Sequence, residues 1–168
     1  MAIIIEKAKA EDAEAILNLT KVCGSETDNL SFGESGIPVS AENEASYIAS
    51  IENSDTDIFF VARDGKEIVG TGNYSSFPKK RMEHRGEFGI SVRKSYWNQG
   101  VGTMLMEHIL DFAENVAKSE IVSLEVRSDN EAAIHLYRKF GFEKIGTFKG
   151  YFKIGEELID FDIMELFL

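Results

Sequence analysis

Gln99-Gly100-Val101-Gly102-Thr103 has the composition of a loop that holds phosphate. Two glycines let the backbone approach a ligand closely. A helix starting there would aim free N–H groups and about half a positive charge at it. That combination suits a pyrophosphate. Two other phosphate loops fail on spacing: a dinucleotide fingerprint needs a third glycine where Leu105 stands, and a P-loop needs a lysine where Thr103 follows Gly102. No Gly-x-Ser-x-Gly elbow for a serine nucleophile occurs. Cys23 is the single cysteine, so neither an internal disulfide nor a multi-cysteine metal site is open to the chain. It also lacks a neighbouring histidine to activate it. His84, His108 and His135 show no metal-ligand spacing, and Lys79-Lys80-Arg81 reads as a solvated loop.

The elements that must position this loop follow from periodicity. Residues 84–92 read as a strand containing Gly86 and Gly89, and glycine within a strand marks a bulge or a close backbone approach. Residues 102–117 read as a helix with Leu105, Ile109, Phe112, Ala113 and Val116 on its buried stripe. A strand over 121–126 follows. Ser128-x-x-Glu131 then forms a capping box for a helix running to Phe140, with Gly141 as its C-terminal cap. Upstream lie a strand (3–7), a helix (11–19), a Gly-rich loop (20–38), a second helix opened by Ser40, and a hairpin (58–62 and 66–75) turning at Asp64-Gly65. Two strands, 142–152 and 158–167, close the chain. The order β-α-α-β-β-β-α-β-α-β-β predicts a mixed α/β (α+β) domain spanning residues 1–168.

Composition sets the outer limits. The chain has 168 residues with 43% hydrophobic and 28% charged, which fits one globular domain. Its net charge of −11 argues against nucleic acid and anionic membranes as partners and favours a cationic one. The start lacks the basic flank of a signal peptide, and no stretch approaches the roughly 18 apolar residues of a membrane span, so a cytoplasmic protein is expected.

The spacing of Asn130, Ala133 and Tyr137, ending in Phe140-Gly141-Phe142, resembles the C-terminal motif of the GNAT superfamily, the general N-acetyltransferases. About thirty residues upstream, 92–103 resembles that family's acyl-CoA pyrophosphate loop. Trp97 is a departure, because the family's usual Gln/Arg-x-x-Gly-x-Gly/Ala has Gln or Arg there. It would either anchor the loop or pack on the cofactor. The resemblance implies a mostly antiparallel sheet of about seven strands, splayed in the middle and flanked by about four helices. It also implies acetyl-CoA as cofactor, with contacts at Ile90, Ser91, Val92, Trp97, Asn98, Gln99, Gly100, Val101, Gly102, Thr103, Asn130, Ala133 and Tyr137. Pantetheine would pair with the backbone of Ile90 and Val92 like an added strand. An N–H near Gly89 or Ile90 would polarise the thioester carbonyl, and Asn130 would bond the pantetheine arm.

The implied reaction is direct transfer of acetyl to a primary amine in a ternary complex. The acceptor is a small molecule, a polyamine, or a protein N-terminus or lysine. An alkylamine with pKa near 10.4 must lose a proton before it attacks, and a partly buried carboxylate can take it. Glu87 is the candidate, with Glu83 and Glu125 as rivals. Tyr137, a phenol with pKa about 10, would donate to the departing sulfur. Glu26, Asp28, Glu34, Glu42, Glu44, Glu156, Glu157, Asp160 and Asp162 lie in the segments expected to form the acceptor side, which predicts a cationic acceptor. The C-terminal strands offer an edge for a homodimer. The alternative is a non-catalytic acyl-CoA sensor, which would keep the loop and Asn130 but need neither Glu87 nor Tyr137.

Overall fold

Successive side chains of a strand point to opposite faces of a sheet, and the apolar run Ile58-Phe59-Phe60-Val61-Ala62 supplies both. The computed structural model describes residues 2–168. The strands are β1 (Ile3–Lys7), β2 (Asp57–Asp64), β3 (Glu67–Ser76), β4 (Arg85–Val92), β5 (Ile121–Arg127), β6 (Glu143–Ile154) and β7 (Glu157–Phe167). The helices are α1 (Ala13–Glu26), α2 (Ala41–Ile51), α3 (Val101–Asp111) and α4 (Glu131–Lys139). One seven-stranded sheet runs β1-β2-β3-β4-β5-β7-β6, and every neighbouring pair is antiparallel except β4–β5. The mixed, mostly antiparallel architecture with four helices is as expected. Among the described residues, no helix is long and apolar enough to cross a membrane.

Each face of the sheet has its own core. Leu105, Met106 and Ile109 of α3 and Ile134 of α4 pack on Phe88, Val122 and Leu124. On the opposite face, Ile16, Leu19 and Cys23 of α1 and Ile48 of α2 cover Val61 and Ile68.

Several boundaries differ from the sequence reading for local reasons. α1 continues through Glu26 because Cys23 extends the stripe of Ile16 and Leu19, so the connection to α2 is shorter than the predicted loop. In the hairpin, Asp64 pairs with Glu67, so Gly65 and Lys66 form the turn and only Gly65 has positive φ. After α3 the helix widens by one residue over 112–116, with Ala117 N–H bonded to Phe112 O, which turns Val116 off the stripe and into solvent. Ser128 does not cap α4. Its hydroxyl donates to Asp162 Oδ1, and Asn130 Oδ1 accepts from Ala133 N–H instead.

Candidate active site

β4 and β5 pair only over Arg85–Glu87 and Ile121–Ser123. Beyond that point β4 stays with β3 to Val92, β5 stays with β7 to Arg127, and the two part. Main-chain bonds at the two ends of β4 show which groups face the opening. Arg93 N–H donates to Val69 O and Phe77 N–H to Arg85 O, so the odd residues of β4 turn toward β3. Alternation turns Phe88, Ile90 and Val92 toward the opening. At its closed end, His84 O accepts from Glu120 N–H at 2.7 Å, and Gly86 O from Ser123 Oγ at 3.4 Å.

This geometry sorts the expected contacts. Ile90 offers both N–H and C=O to the opening. Val92 offers only its N–H, because the Trp97 indole donates to Val92 O at 2.7 Å. That bond makes Trp97 an anchor of the loop, although its ring remains exposed beside the Lys94 ammonium. Ser91 pairs with Thr71 and turns its main chain away from the opening. Of the two residues expected to polarise a carbonyl, Ile90 has the correctly directed N–H, and Gly89 faces β3.

The loop after β4 reverses through Asn98 (φ 59°) and Gly100 (φ 82°), both left-handed. Gly100 takes this conformation without the Cβ clash that other residues meet, and the space where a side chain would stand is open. Gly102 backs onto Leu136 of α4. The first main-chain bond of α3 is Met104 N–H to Gly100 O at 3.0 Å. The N–H groups of Val101, Gly102 and Thr103 lie ahead of it and emerge from the helix start, where an anion is favoured. Gln99 donates to Ser95 O, Lys94 N–H to Glu26 Oε2, and Tyr96 Oη to Asp64 Oδ2, which holds the segment rigidly against α1 and β2.

Residues of opposite parity on β4 lead to opposite sides of the opening. Phe88 meets Tyr137 and Phe142, each at 5.7 Å between ring centres, and these rings wedge beneath the parted strands. Burial pushes the Tyr137 hydroxyl up to about 12, and no side-chain partner for it exists among the described residues. Glu87 projects to the other face at the mouth of the opening. Its side chain reaches solvent, yet partial burial, and then the negative charge of Glu125, push its carboxyl above the usual range. Glu83 precedes β4 and is exposed.

Several acids expected on the acceptor side are engaged elsewhere. Glu26 holds Lys94 N–H, Asp160 holds Gly150 N–H and Lys149, and Asp162 holds Ser128, Thr147 and Lys144. Glu87 and Glu125 are the carboxylates at the opening itself. Tyr151 was missed from sequence. Its hydroxyl donates to Glu125 Oε2 at 2.9 Å, and the signal for it was Gly150 interrupting a strand.

A family model described as the acetyltransferase (GNAT) family matches residues 13–142, a span that includes the parted strands, the glycine loop and α4. The chain belongs to that family. Among curated relatives, the GNAT chain is 34% identical over 93 residues to N-alpha-acetyltransferase RimI of Mycobacterium tuberculosis, covering 55% of this chain and 56% of that protein. It is 33% identical over 94 residues to L-amino acid N-acetyltransferase AaaT of Escherichia coli, covering 56% and 58%. The chain thus spans little more than half the length of these relatives. Among solved structures, a GNAT-family acetyltransferase from Streptococcus pneumoniae superposes with TM-score 0.95 at 29% identity, covering 99% of this chain and 100% of that one. The yncA protein of Salmonella typhimurium, a putative acetyltransferase solved with acetyl-CoA, shares the fold with TM-score 0.85 at 17% identity, over 99% and 94%.

Proposed function

We propose that this GNAT protein transfers acetyl from acetyl-CoA to a primary amine, directly and within a ternary complex. The observation that carries the reading is the opening between β4 and β5, with Glu87 on one face and Tyr137 on the other. The residues present fit the donor: an open ledge at Gly100, emergent N–H groups at 101–103, and an Ile90 main chain turned into the gap. The carboxamide of Asn130, whose oxygen is spent on its cap, keeps its N–H groups for the pantetheine arm.

Acetyl-CoA supplies an activated thioester. Glu87 takes the proton that the acceptor ammonium must lose before its nitrogen can attack. Its raised carboxyl suits that task better than an ordinary carboxylate would. The Ile90 N–H, fixed in direction by the β3 pairing, is the donor for the carbonyl oxygen. Tyr137 remains protonated at rest, so its O–H is available to hydrogen-bond the departing sulfur on the opposite side. As the C–N bond forms and the C–S bond breaks, one nitrogen proton leaves through Glu87 to solvent; the second lost by nitrogen balances the one that sulfur gains by way of Tyr137, so the products are the amide, the free thiol and one released proton.

Glu87 and Glu125 at the mouth favour a cationic acceptor. A cytoplasmic setting, where a thioester donor is available, accompanies this reading. So does a homodimer through β6, an edge strand that exposes Ile145. Thiol release from acetyl-CoA, measured with polyamine, amino-acid and peptide panels, tests the function. Turnover with cationic amines and loss of it in Glu87→Gln are expected. Binding of acetyl-CoA without transfer to any amine would overturn the catalytic reading, and preference for acidic acceptors would overturn the charge argument.

A further inference from the structure

Tyr151 stands where simple alternation would not place it. β6 pairs with β7 at Phe148↔Phe161 and again at Phe152↔Ile159, so residues 149–151 oppose Asp160 alone. Asp160 fastens this bulge by accepting Gly150 N–H at 2.8 Å and Lys149 Nζ at 3.0 Å, and Gly150 has φ 60°. The extra residues bring the Tyr151 ring onto the same side as its even-numbered neighbours. It stacks between Phe148, at 4.9 Å and 15°, and Phe152, at 5.5 Å and 17°, and leans on Phe161 at 5.2 Å. A ring held on three sides has little rotamer freedom, so its hydroxyl has a fixed position. That hydroxyl donates to Glu125 Oε2 at 2.9 Å. Glu125 follows Ser123, the last β5 partner of Glu87, on the same face.

We propose that Tyr151 is a positioning residue for the proton-accepting group. By holding Glu125 across the mouth of the opening, it sets the charge against which Glu87 takes and releases its proton. The proposal rests on the reading of Glu87 as base.

Surrounding charges leave this arrangement in control. On β4 and β5, Arg85 is paired with Glu165 of β7, and Arg127 with Asp129 at 2.6 Å. Opposite Glu125, β7 presents Ile163. From α2, Glu44 and Tyr47 face the neighbouring stretch of sheet at Asp57 and Ser75, and Asp28 lies near Arg127. Both arginines are therefore engaged by other carboxylates, while Tyr151 is the group that holds Glu125. The negative charge of Glu125 adds to burial in raising Glu87. A hydrogen bond donated to a carboxylate favours its charged form, so loss of the Tyr151 hydroxyl and loss of the Glu125 charge both weaken the repulsion on Glu87.

The test is carboxyl carbon NMR of the full chain labelled in glutamate, alongside the pH profile of kcat/KM. Tyr151→Phe keeps the ring stack and removes only the hydroxyl. It is expected to lower the Glu87 midpoint by up to about half a pH unit, less than Glu125→Gln does, and to move the acid limb of kcat/KM to lower pH. Glu125→Gln removes the repelling charge and should move the Glu87 midpoint and the acid limb to lower pH. The KM for acetyl-CoA should stay constant in both. A purely structural role moves neither midpoint, so unchanged titrations in folded variants would overturn the proposal. Midpoints that move while the kcat/KM limb stays fixed would support the Tyr151 assignment and overturn Glu87 as base.

Discussion

At the scale of single residues, the proposed chemistry depends on two groups whose surroundings treat them differently. Glu87 is disfavoured as an anion by burial and by Glu125, so it holds a proton to higher pH than an exposed glutamate. Tyr137 is half-buried among aromatic rings, and desolvation pushes its hydroxyl up to about 12. Activity should therefore rise with pH through the Glu87 ionisation, and no loss from Tyr137 is expected below about pH 11. Tyr137→Phe should lower kcat on the order of a hundredfold, with the Kd for acetyl-CoA near normal. Single-turnover rates and acetyl-CoA titration check both parts, and an unchanged kcat would remove Tyr137 from its role.

At the scale of elements, the 27–40 connection is held by α1. Ile37 N–H donates to Thr20 Oγ1 at 3.3 Å. A Cβ at Gly24 would meet Gly33 O at 1.9 Å, a contact that forces backbone apart. If this connection forms part of the acceptor side, Gly24→Ala should raise the acceptor KM several-fold while leaving the KM for acetyl-CoA unchanged, because the glycine loop stands at the start of α3. Initial-rate kinetics with each substrate varied in turn separates the two.

The same elements show what was legible beforehand. The glycine loop and the end of α4 are encoded locally, by the positive-φ Gly100 and Gly141, so their positions could be read directly, although the cap expected at Ser128 falls at Asn130. The parting of β4 and β5 is not a matter of periodicity. It depends on which neighbour each strand keeps, and only the resemblance of the motifs pointed to it. α1 was cut short because Gly24 looks like a breaker until Gly33 is seen packed against it. The Tyr151–Glu125 bond was hidden because the bulge sets Tyr151 on the side of its even-numbered neighbours, where alternation does not place it.

At the scale of the whole molecule, β6 lies at the outer edge of the sheet, and Ile145, Leu158 and Phe167 of the C-terminal strands are 56%, 65% and 73% exposed. An edge strand with apolar side chains invites pairing. Sedimentation equilibrium is expected to give a mass twice the 18.8 kDa of the chain. Ile145→Lys should shift it toward the monomer, and a monomeric wild-type protein would remove the homodimer.

A sheet that separates partway along one seam has inner borders as well as outer ones. The outer border at β6 carries Lys144, Lys149 and Lys153 among its exposed apolar residues, and the first two are ion-paired with Asp162 and Asp160 of β7. Toward α3 and α4 the inner borders carry Phe88, Ile90, Val92, Leu124 and Val126, all apolar. Their protection is enclosure on that face: α3 and α4 cover it, and the Phe88–Tyr137–Phe142 rings pack between α4 and the sheet. What reaches those main-chain groups must enter where the seam parts, so enclosure rather than charge limits access to them.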